Sequence, residues 1–305
     1  MNGTGSQAID WLKGCKFGSS ISDRLILFIY ILSEIIILGS LYVILGKEKT
    51  SKSVLSKPRL LNWIPIKKVN VNLDGILLSL PLVMDYLVFV KSDWELEEKE
   101  FMKKISKNDG IILDIGSNIG YHTTMLAKEN VNSRIISVEA SPTIFKILKE
   151  NCNVNKLTNI IFYNNAVTDQ DDIEINFYNR DQLSTTDKQT LKDWLVPENY
   201  IKIEKTKTVT IDSLLEREQV NKVLLLKMDI EGGEVLALTG AKYSLEQKKI
   251  QNMMIEYHSY SALDCIENLL KKLGYNITLH ERPILYENKD HANGHIFAVL
   301  AKTPN

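Results

Sequence analysis

Asp114, Glu139, Asp229 and Glu256 each close or follow a short apolar run, and His258 stands two positions after the last of them. Carboxylates and an imidazole in such places can bind a cation, accept hydrogen bonds from a diol, or take a proton from a hydroxyl. The first run is the most telling, because Ile111 to Ile115 passes directly into Gly116-Ser117-Asn118-Ile119-Gly120-Tyr121. Gly116 and Gly120 allow a tight turn and a close backbone approach, and the free N–H groups opening the next helix favour a carboxylate or phosphate. Asp114 occupies the place where a pyrophosphate-binding loop carries its first glycine, so the guest favoured here bears positive charge. Glu139 follows 25 positions later, at the end of a second apolar run from Arg134 to Val138. An acid at the second strand end is where a doubly wound sheet binds a ribose diol. Together Asp114 and Glu139 suit a nucleoside that carries an amino acid.

These segments resemble the S-adenosylmethionine-dependent methyltransferases, and within them the FkbM-like family. The resemblance is carried by Leu113 to Tyr121, by Val138-Glu139-Ala140-Ser141-Pro142, by Asn165-Ala166-Val167 and by Leu226 to Glu234, in that order. It covers about two thirds of the chain, from near Trp94 onward. It implies S-adenosylmethionine as cofactor, held by Asp114, Gly116, Ser117, Asn118, Gly120, Tyr121, Glu139, Ala140, Asn165, Ala166 and Asp229, with backbone groups at Asn165 and Ala166 flanking the adenine. The Trp94-Glu95 pair and the hydroxyl run Ser184 to Thr186 also resemble family features near the donor. A packing aromatic with a first-turn acid, and a solvated turn, are the plain alternatives for these two.

Other nucleotide chemistry fails on residues. A dinucleotide oxidoreductase needs G-x-G-x-x-G, whereas this loop has an acid two residues before its first glycine. Methyltransferases acting on base amino groups resemble one another in an Asn/Asp-Pro-Pro-aromatic turn, and the chain has none; nor has it the Pro-Cys pair of cytosine-ring methylases. Methylation of an oxygen is favoured by elimination. The acceptor implied by the resemblance is a hydroxyl of a sugar, lipid or secondary metabolite.

The reacting end is read from the apolar run Val223 to Met228, followed by Asp229-Ile230-Glu231-Gly232-Gly233-Glu234, and from Met253 to Tyr257, which ends in Glu256-Tyr257-His258. Ligands gather at strand carboxyl ends in open α/β sheets, which makes Asp229, Glu256 and His258 the candidate catalytic groups. Methyl transfer to a hydroxyl needs in-line geometry and the removal of one proton, which an acid or the imidazole can take. Carboxylate and imidazole would also suit Mg, Mn or Zn, but no fixed ligand spacing calls for a metal and none is assigned. The rival reading from a different class is a membrane-tethered module that binds the donor without turnover.

These side chains require a seven-stranded, doubly wound Rossmann-like α/β sheet. Strands are expected at Ile111 to Ile115, Arg134 to Val138, Ile160 to Tyr163, Val223 to Met228, Met253 to Tyr257, Tyr275 to His280 and His295 to Ala301, with a turn at Asn293-Gly294. Helices are expected at Tyr121 to Glu129, at Pro142 to Asn151 with Ser141 as cap, and at Leu263 to Leu273. A β-looking pair, Ile173 to Tyr178 and Lys205 to Ile211, interrupts the alternation and would shape the substrate pocket. His122, His280, His291 and His295 show no cluster.

Ahead of this domain, assigned to residues 106–305, a small β-rich and helical segment spans 58–105. It holds a hairpin at Lys68 to Leu80 turning on Asp74-Gly75, a strand candidate at Val83 to Val90, and a helix at Asp93 to Ile105. Residues 1–57 hold a hydrophobic helix and a linker. Leu25 to Leu45 is apolar apart from Ser33, Glu34, Gly39 and Ser40, and as a helix would reach about 30 Å, long enough to span a bilayer. The run is too long for a cleavable leader. The lysines that follow it place the catalytic part at the cytoplasmic face of a membrane. The alternative is a helix docked on a soluble cytoplasmic enzyme, with Tyr30, Ser33, Glu34 and Ser40 as its wet stripe. A net charge of −1 gives no steering toward nucleic acid, so none is expected as partner. Three scattered cysteines read as reduced and structural, and the oligomeric state is left open.

Overall fold

The computed structural model describes residues 15–32, 68–81, 95–180, 183–185, 202–281 and 291–301. The chain divides into two compact units. One comprises Met1–Leu96 with Arg180–Gln182 and Leu191–Lys202, the other Glu97–Asn179, Leu183–Thr190 and Ile203–Asn305.

In the first unit, β1 (Lys68–Leu73) and β2 (Ile76–Pro81) form an antiparallel hairpin turning on Asp74 and Gly75. Alternate residues of β1 face inward, with Val69, Val71 and Leu73 buried, as a half-buried strand requires. Residues 21–32 are helical. The start of this helix is tied to β1: Asn70 N donates to Asp23 Oδ1 (3.1 Å) and Ser19 N donates to Asn70 O (2.9 Å). Leu27, Tyr30 and Ile31 are buried, while Ile21, Leu25, Phe28, Ile29 and Leu32 are exposed. Tyr30 therefore belongs to the packed face, not to a wet stripe, and the open face up to residue 32 is apolar apart from Ser22 and Arg24. Among the described residues no helix is long and apolar enough to cross a membrane. Residues 33–45 of the candidate span, and the strand candidate at 83–90, lie outside the described residues.

The second unit is built on a seven-stranded mixed sheet in the order β5-β4-β3-β10-β11-β13-β12. Its strands are β3 (Ile111–Ile115), β4 (Arg134–Val138), β5 (Ile160–Tyr163), β10 (Leu225–Met228), β11 (Asn252–Ser259), β12 (Tyr275–Glu281) and β13 (His291–Leu300). The first five named run parallel, and β13 lies antiparallel between β11 and β12. The central strands are buried on both faces. Leu113, Ile115, Ile136, Val138, Leu226, Met228, Met253 and Ile255 form one core with Leu214, Leu238, Leu245 and Ile266 from the covering helices. Chain order reverses between β3 and β10, so a crevice at their carboxyl ends is built into the topology. This is the expected methyltransferase sheet.

Local chemistry sets the helix starts. Ser141 Oγ accepts from Ile144 N, with Pro142 at the first helical position of Pro142–Val154, and Ser259 caps Tyr260–Lys272 in the same way. The second cap starts that helix three residues before the expected Leu263. A further four-stranded sheet, β6 (Ala166–Val167), β9 (Lys202–Val209), β7 (Glu174–Arg180) and β8 (Leu183–Thr185), occupies the interruption of the alternation. Ser184 and Thr185 thus lie on a strand, and Thr186 lies outside the described residues. Asn293-Gly294 is not a turn but part of β13. A Cβ at Gly294 would sit 2.5 Å from His280 O and from the Tyr257 hydroxyl, so the glycine serves close strand packing.

Candidate active site

The glycine loop stands on a buried polar frame. Asp114 on β3 lies directly opposite Lys227 on β10, and both are almost fully buried. Lys227 Nζ is 3.4 Å from Asp114 Oδ1 and donates to Gly116 O at 2.9 Å. Thr123 Oγ1 donates to the other carboxylate oxygen of Asp114 at 2.5 Å. Ser137 Oγ donates to Ser117 Oγ, which donates to Asp114 O, closing a network beneath the loop. From the sequence, Asp114 faces a cationic ligand; in the fold the cation it faces is Lys227. Lys227 is the residue that sequence reasoning passed over, and its signal was a charged side chain inside a central parallel strand. Ser117 and Tyr121, also expected at the donor, are buried in the wall.

Gly116 has φ +74°, and a Cβ there would lie 1.7 Å from Asp229 O. The loop is therefore pressed against the end of β10, bringing Asp229 beside it. Half-buried Asn118 has φ 49° and donates its N–H to Glu139 Oε2 at 2.9 Å, while Ser141 N donates to Glu139 Oε1 at 2.8 Å. Burial pushes Glu139 up to about 7, against the two N–H groups that favour its charged form. Asn164 Nδ2 donates to the carbonyls of Glu139 and Ala140, joining the ends of β4 and β5. The Asn165 side chain donates to Lys207 O, and Ala166 is buried in β6, paired with Thr208. Gly120 precedes the helix Tyr121–Glu129 in the left-handed conformation.

At the ends of β10 and β11 the chemistry changes. His258 Nδ1 lies 3.1 Å from Glu234 Oε1, and His258 Nε2 lies 3.3 Å from Glu231 Oε2 and 3.9 Å from Glu256 Oε1. Glu234 is fully buried, and its Oε1 also accepts from Gly232 N. It is therefore an orienting group for the imidazole as well as a first-turn acid. Asp229 keeps a third of its side chain exposed and lies 4.0 Å from Lys227 Nζ. Burial works against a charged His258, but Glu231, Glu234 and Glu256 around it hold its pKa well above the ordinary imidazole value. Burial pushes the Glu231 carboxyl upward, opposed by His258 and reinforced by Asp229 and Glu256. The structure thus brings Asp229, Glu256 and His258 together, and adds Glu231 and Glu234.

A second cluster adjoins the first. His295 Nε2 lies 3.3 Å from Glu256 Oε2, and His295 Nδ1 lies 2.8 Å from Glu98 Oε1 on the helix Leu96–Ser106. His280 Nδ1 is 3.6 Å from the same Glu98 oxygen and 3.2 Å from Glu97 Oε2. His280 and His295, read from the sequence as unclustered, therefore share one carboxylate.

Residues 114–277 match the family described as the methyltransferase FkbM domain. Over 92 residues the chain is 32% identical to the tRNA(Phe) (4-demethylwyosine(37)-C(7)) aminocarboxypropyltransferase of Methanocaldococcus jannaschii, covering 30% of this chain and 36% of that protein. The chain thus spans about a third of the length of that relative. Among solved structures, the M. jannaschii TYW2 complex with AdoMet aligns at 16% identity with a TM-score of 0.37, covering 76% of this chain and 85% of that one. The precorrin-6y C5,15-methyltransferase of Geobacter metallireducens aligns at 9% with a TM-score of 0.41, covering 67% and 88%. The family match takes in more than half of the chain, from Asp114 through β10 and β11, and the protein belongs to the FkbM family of S-adenosylmethionine-dependent methyltransferases.

Proposed function

We propose that the chain methylates a hydroxyl oxygen of a sugar, lipid or secondary metabolite. The observation that carries this reading is the acid and imidazole group of Asp229, Glu231, Glu256 and His258 at strand ends beside the nucleotide loop. The bound donor supplies a methyl group made electrophilic by its sulfonium. Glu139 fits the ribose diol, since each of its oxygens accepts one backbone N–H and retains a further acceptor position. Gly116, Asn118 and Ala140 offer half-buried backbone around it. Asp114 acts indirectly in this reading, holding Lys227 and through it the Gly116 carbonyl.

The acceptor oxygen forms its bond to the methyl carbon as the sulfur–carbon bond breaks, leaving S-adenosylhomocysteine, and the hydroxyl proton passes to a carboxylate. His258, kept protonated by its acidic neighbours, is a poor proton acceptor and serves to orient Glu231 and Glu256. Asp229, the most open of the acids, is the proposed base. Incubation of the full chain with methyl-labelled S-adenosylmethionine and fractionated glycan, lipid and small-molecule extracts tests this. Label in one of these fractions supports the reading. Binding of S-adenosylhomocysteine without label in any fraction supports a binding module instead.

A second reading rests on the 32% identical relative, whose name describes transfer of an aminocarboxypropyl group to tRNA. Parallel reactions with donor labelled in the methyl or in the carboxyl group separate the two, because only aminocarboxypropyl transfer puts carboxyl label into RNA. Membrane association through Leu25 to Leu45 also stands as a proposal, supported by the exposed apolar stripe of Ile21, Leu25, Ile29 and Leu32 at its start. Carbonate extraction decides this point: chain recovered in the supernatant argues for a docked helix.

A further inference from the structure

Glu98, His280 and His295 come from three separate elements and stand apart from the proposed donor pocket. His280 and His295 are directly opposite one another on the antiparallel strands β12 and β13, and His295 is in turn opposite Glu256 on β11. Directly paired residues project to the same face of a sheet, so one row of Glu256, His295 and His280 crosses three strands. The helix Leu96–Ser106 lowers Glu98 onto this row. Glu98 and His295 are about 2% exposed, whereas the His280 side chain keeps 35% of its surface.

The three ligand-type atoms converge instead of pairing off. One oxygen, Glu98 Oε1, faces both imidazole Nδ1 atoms, at 2.8 Å and 3.6 Å, and one ligand atom from each of the three residues lies within 4.8 Å of the others. Ligands about 2.0–2.1 Å from a tetrahedral zinc ion are separated by roughly 3.3 Å, and the two distances bracket that value. His280 Nδ1 is buried and makes no hydrogen bond among the described residues, although two carboxylates stand within 4 Å of it. His295 presents its other nitrogen to the Glu256 carboxylate, the arrangement that orients a metal-ligating imidazole from behind. Glu97, at the exposed rim 3.2 Å from His280, can close a fourth position or leave it to water.

We propose that Glu98, His280 and His295 form a binding site for a zinc-type divalent cation, with Glu256 as the orienting carboxylate behind His295. Two imidazoles and one carboxylate favour Zn²⁺, Co²⁺ or Fe²⁺ over Mg²⁺ and Ca²⁺, which take oxygen ligands. The site shares Glu256 with the acid and imidazole group around His258 and ties the helix Leu96–Ser106 to the antiparallel end of the sheet.

Full-length protein stripped with a chelator is titrated with Co²⁺ and followed by its visible absorption. The expected result is one equivalent bound with the intense bands of four- or five-coordinate cobalt, displaced by Zn²⁺. His280→Ala and Glu98→Gln should each weaken binding at least about 100-fold, while His258→Ala leaves it within about threefold. His280 is the decisive position because it is partly exposed, and a circular dichroism melt confirms that its variant remains folded. The proposal is overturned if folded protein takes up no stoichiometric cobalt, or if His280→Ala binds as the wild type does. The cluster is then only an ion-pair network. S-adenosylhomocysteine binding by the stripped protein is measured alongside, so that loss of the cation site and loss of the donor pocket are read separately.

Discussion

The two ends of the crevice solve opposite electrostatic problems. At the proposed donor end, the ends of β3 and β4, acids are paired or used by the backbone: Asp114 is paired with Lys227, and Glu139 accepts two N–H groups. At the proposed acceptor end, where β10 and β11 finish, three carboxylates crowd one imidazole, with Asp229 beside Lys227, which it shares with Asp114. The first arrangement is a hydrogen-bonded frame that offers backbone groups to the proposed donor. The second gathers acids around Asp229, the proposed base. An acid in a strand-end motif can therefore be frame or reagent, and the difference lies in which partners the rest of the sheet brings to it.

Perturbing the frame should produce the largest effect. Lys227→Met leaves Asp114 charged and unpaired in the core, and should lower unfolding free energy by about 3–5 kcal/mol, read as the urea midpoint multiplied by the transition slope. A loss under about 1 kcal/mol would show that the pair is not a buried ion pair in solution. Gly116→Ala forces a methyl group into the Asp229 carbonyl and places a side chain at positive φ. It should cost about 2–4 kcal/mol and abolish S-adenosylhomocysteine binding, whereas the same change at Gly274, where a Cβ meets nothing within 4 Å, should leave binding intact.

At the acceptor end, Asp229→Asn should slow label transfer by roughly 10²-fold without lowering the melting temperature. Retention of the full rate would remove Asp229 as the base. The smallest effect expected is a pH dependence from Glu139. Its folded pKa, about 7, lies above the ordinary carboxylate value, so its protonation contributes stability that is fully present below about 4.5 and lost as the pH rises through 7. Between pH 4.5 and 7.5 wild-type stability should fall by on the order of 1–3 kcal/mol from this group, and Glu139→Gln should flatten that slope.

The strands, glycine loop and helix start of the proposed donor end were legible from the sequence because they are local. The apolar runs of β3 and β4, the glycines between them, and the Ser141-Pro142 start fix strand, loop and helix within about thirty residues. The role of Asp114 was not legible, since its partner Lys227 lies more than a hundred residues away and only the parallel pairing of β3 with β10 brings it opposite. The clustering of Glu98, His280 and His295 was hidden for the same reason, as it depends on the β12–β13 register and on a helix from the start of the unit. Gly294 misled because an Asn-Gly pair reads as a turn, whereas here the missing side chain makes room for Tyr257 and His280.

The most direct test of the division between cradle and reagent is calorimetric titration of full-length protein with S-adenosylhomocysteine, comparing wild type, Glu139→Ala and His258→Ala. The wild type should bind one equivalent, His258→Ala should bind within about threefold of it, and Glu139→Ala should lose about 1–3 kcal/mol, the range for hydrogen bonds to a charged group. Absence of binding by folded wild-type protein, or a loss in His258→Ala as large as in Glu139→Ala, would contradict the account.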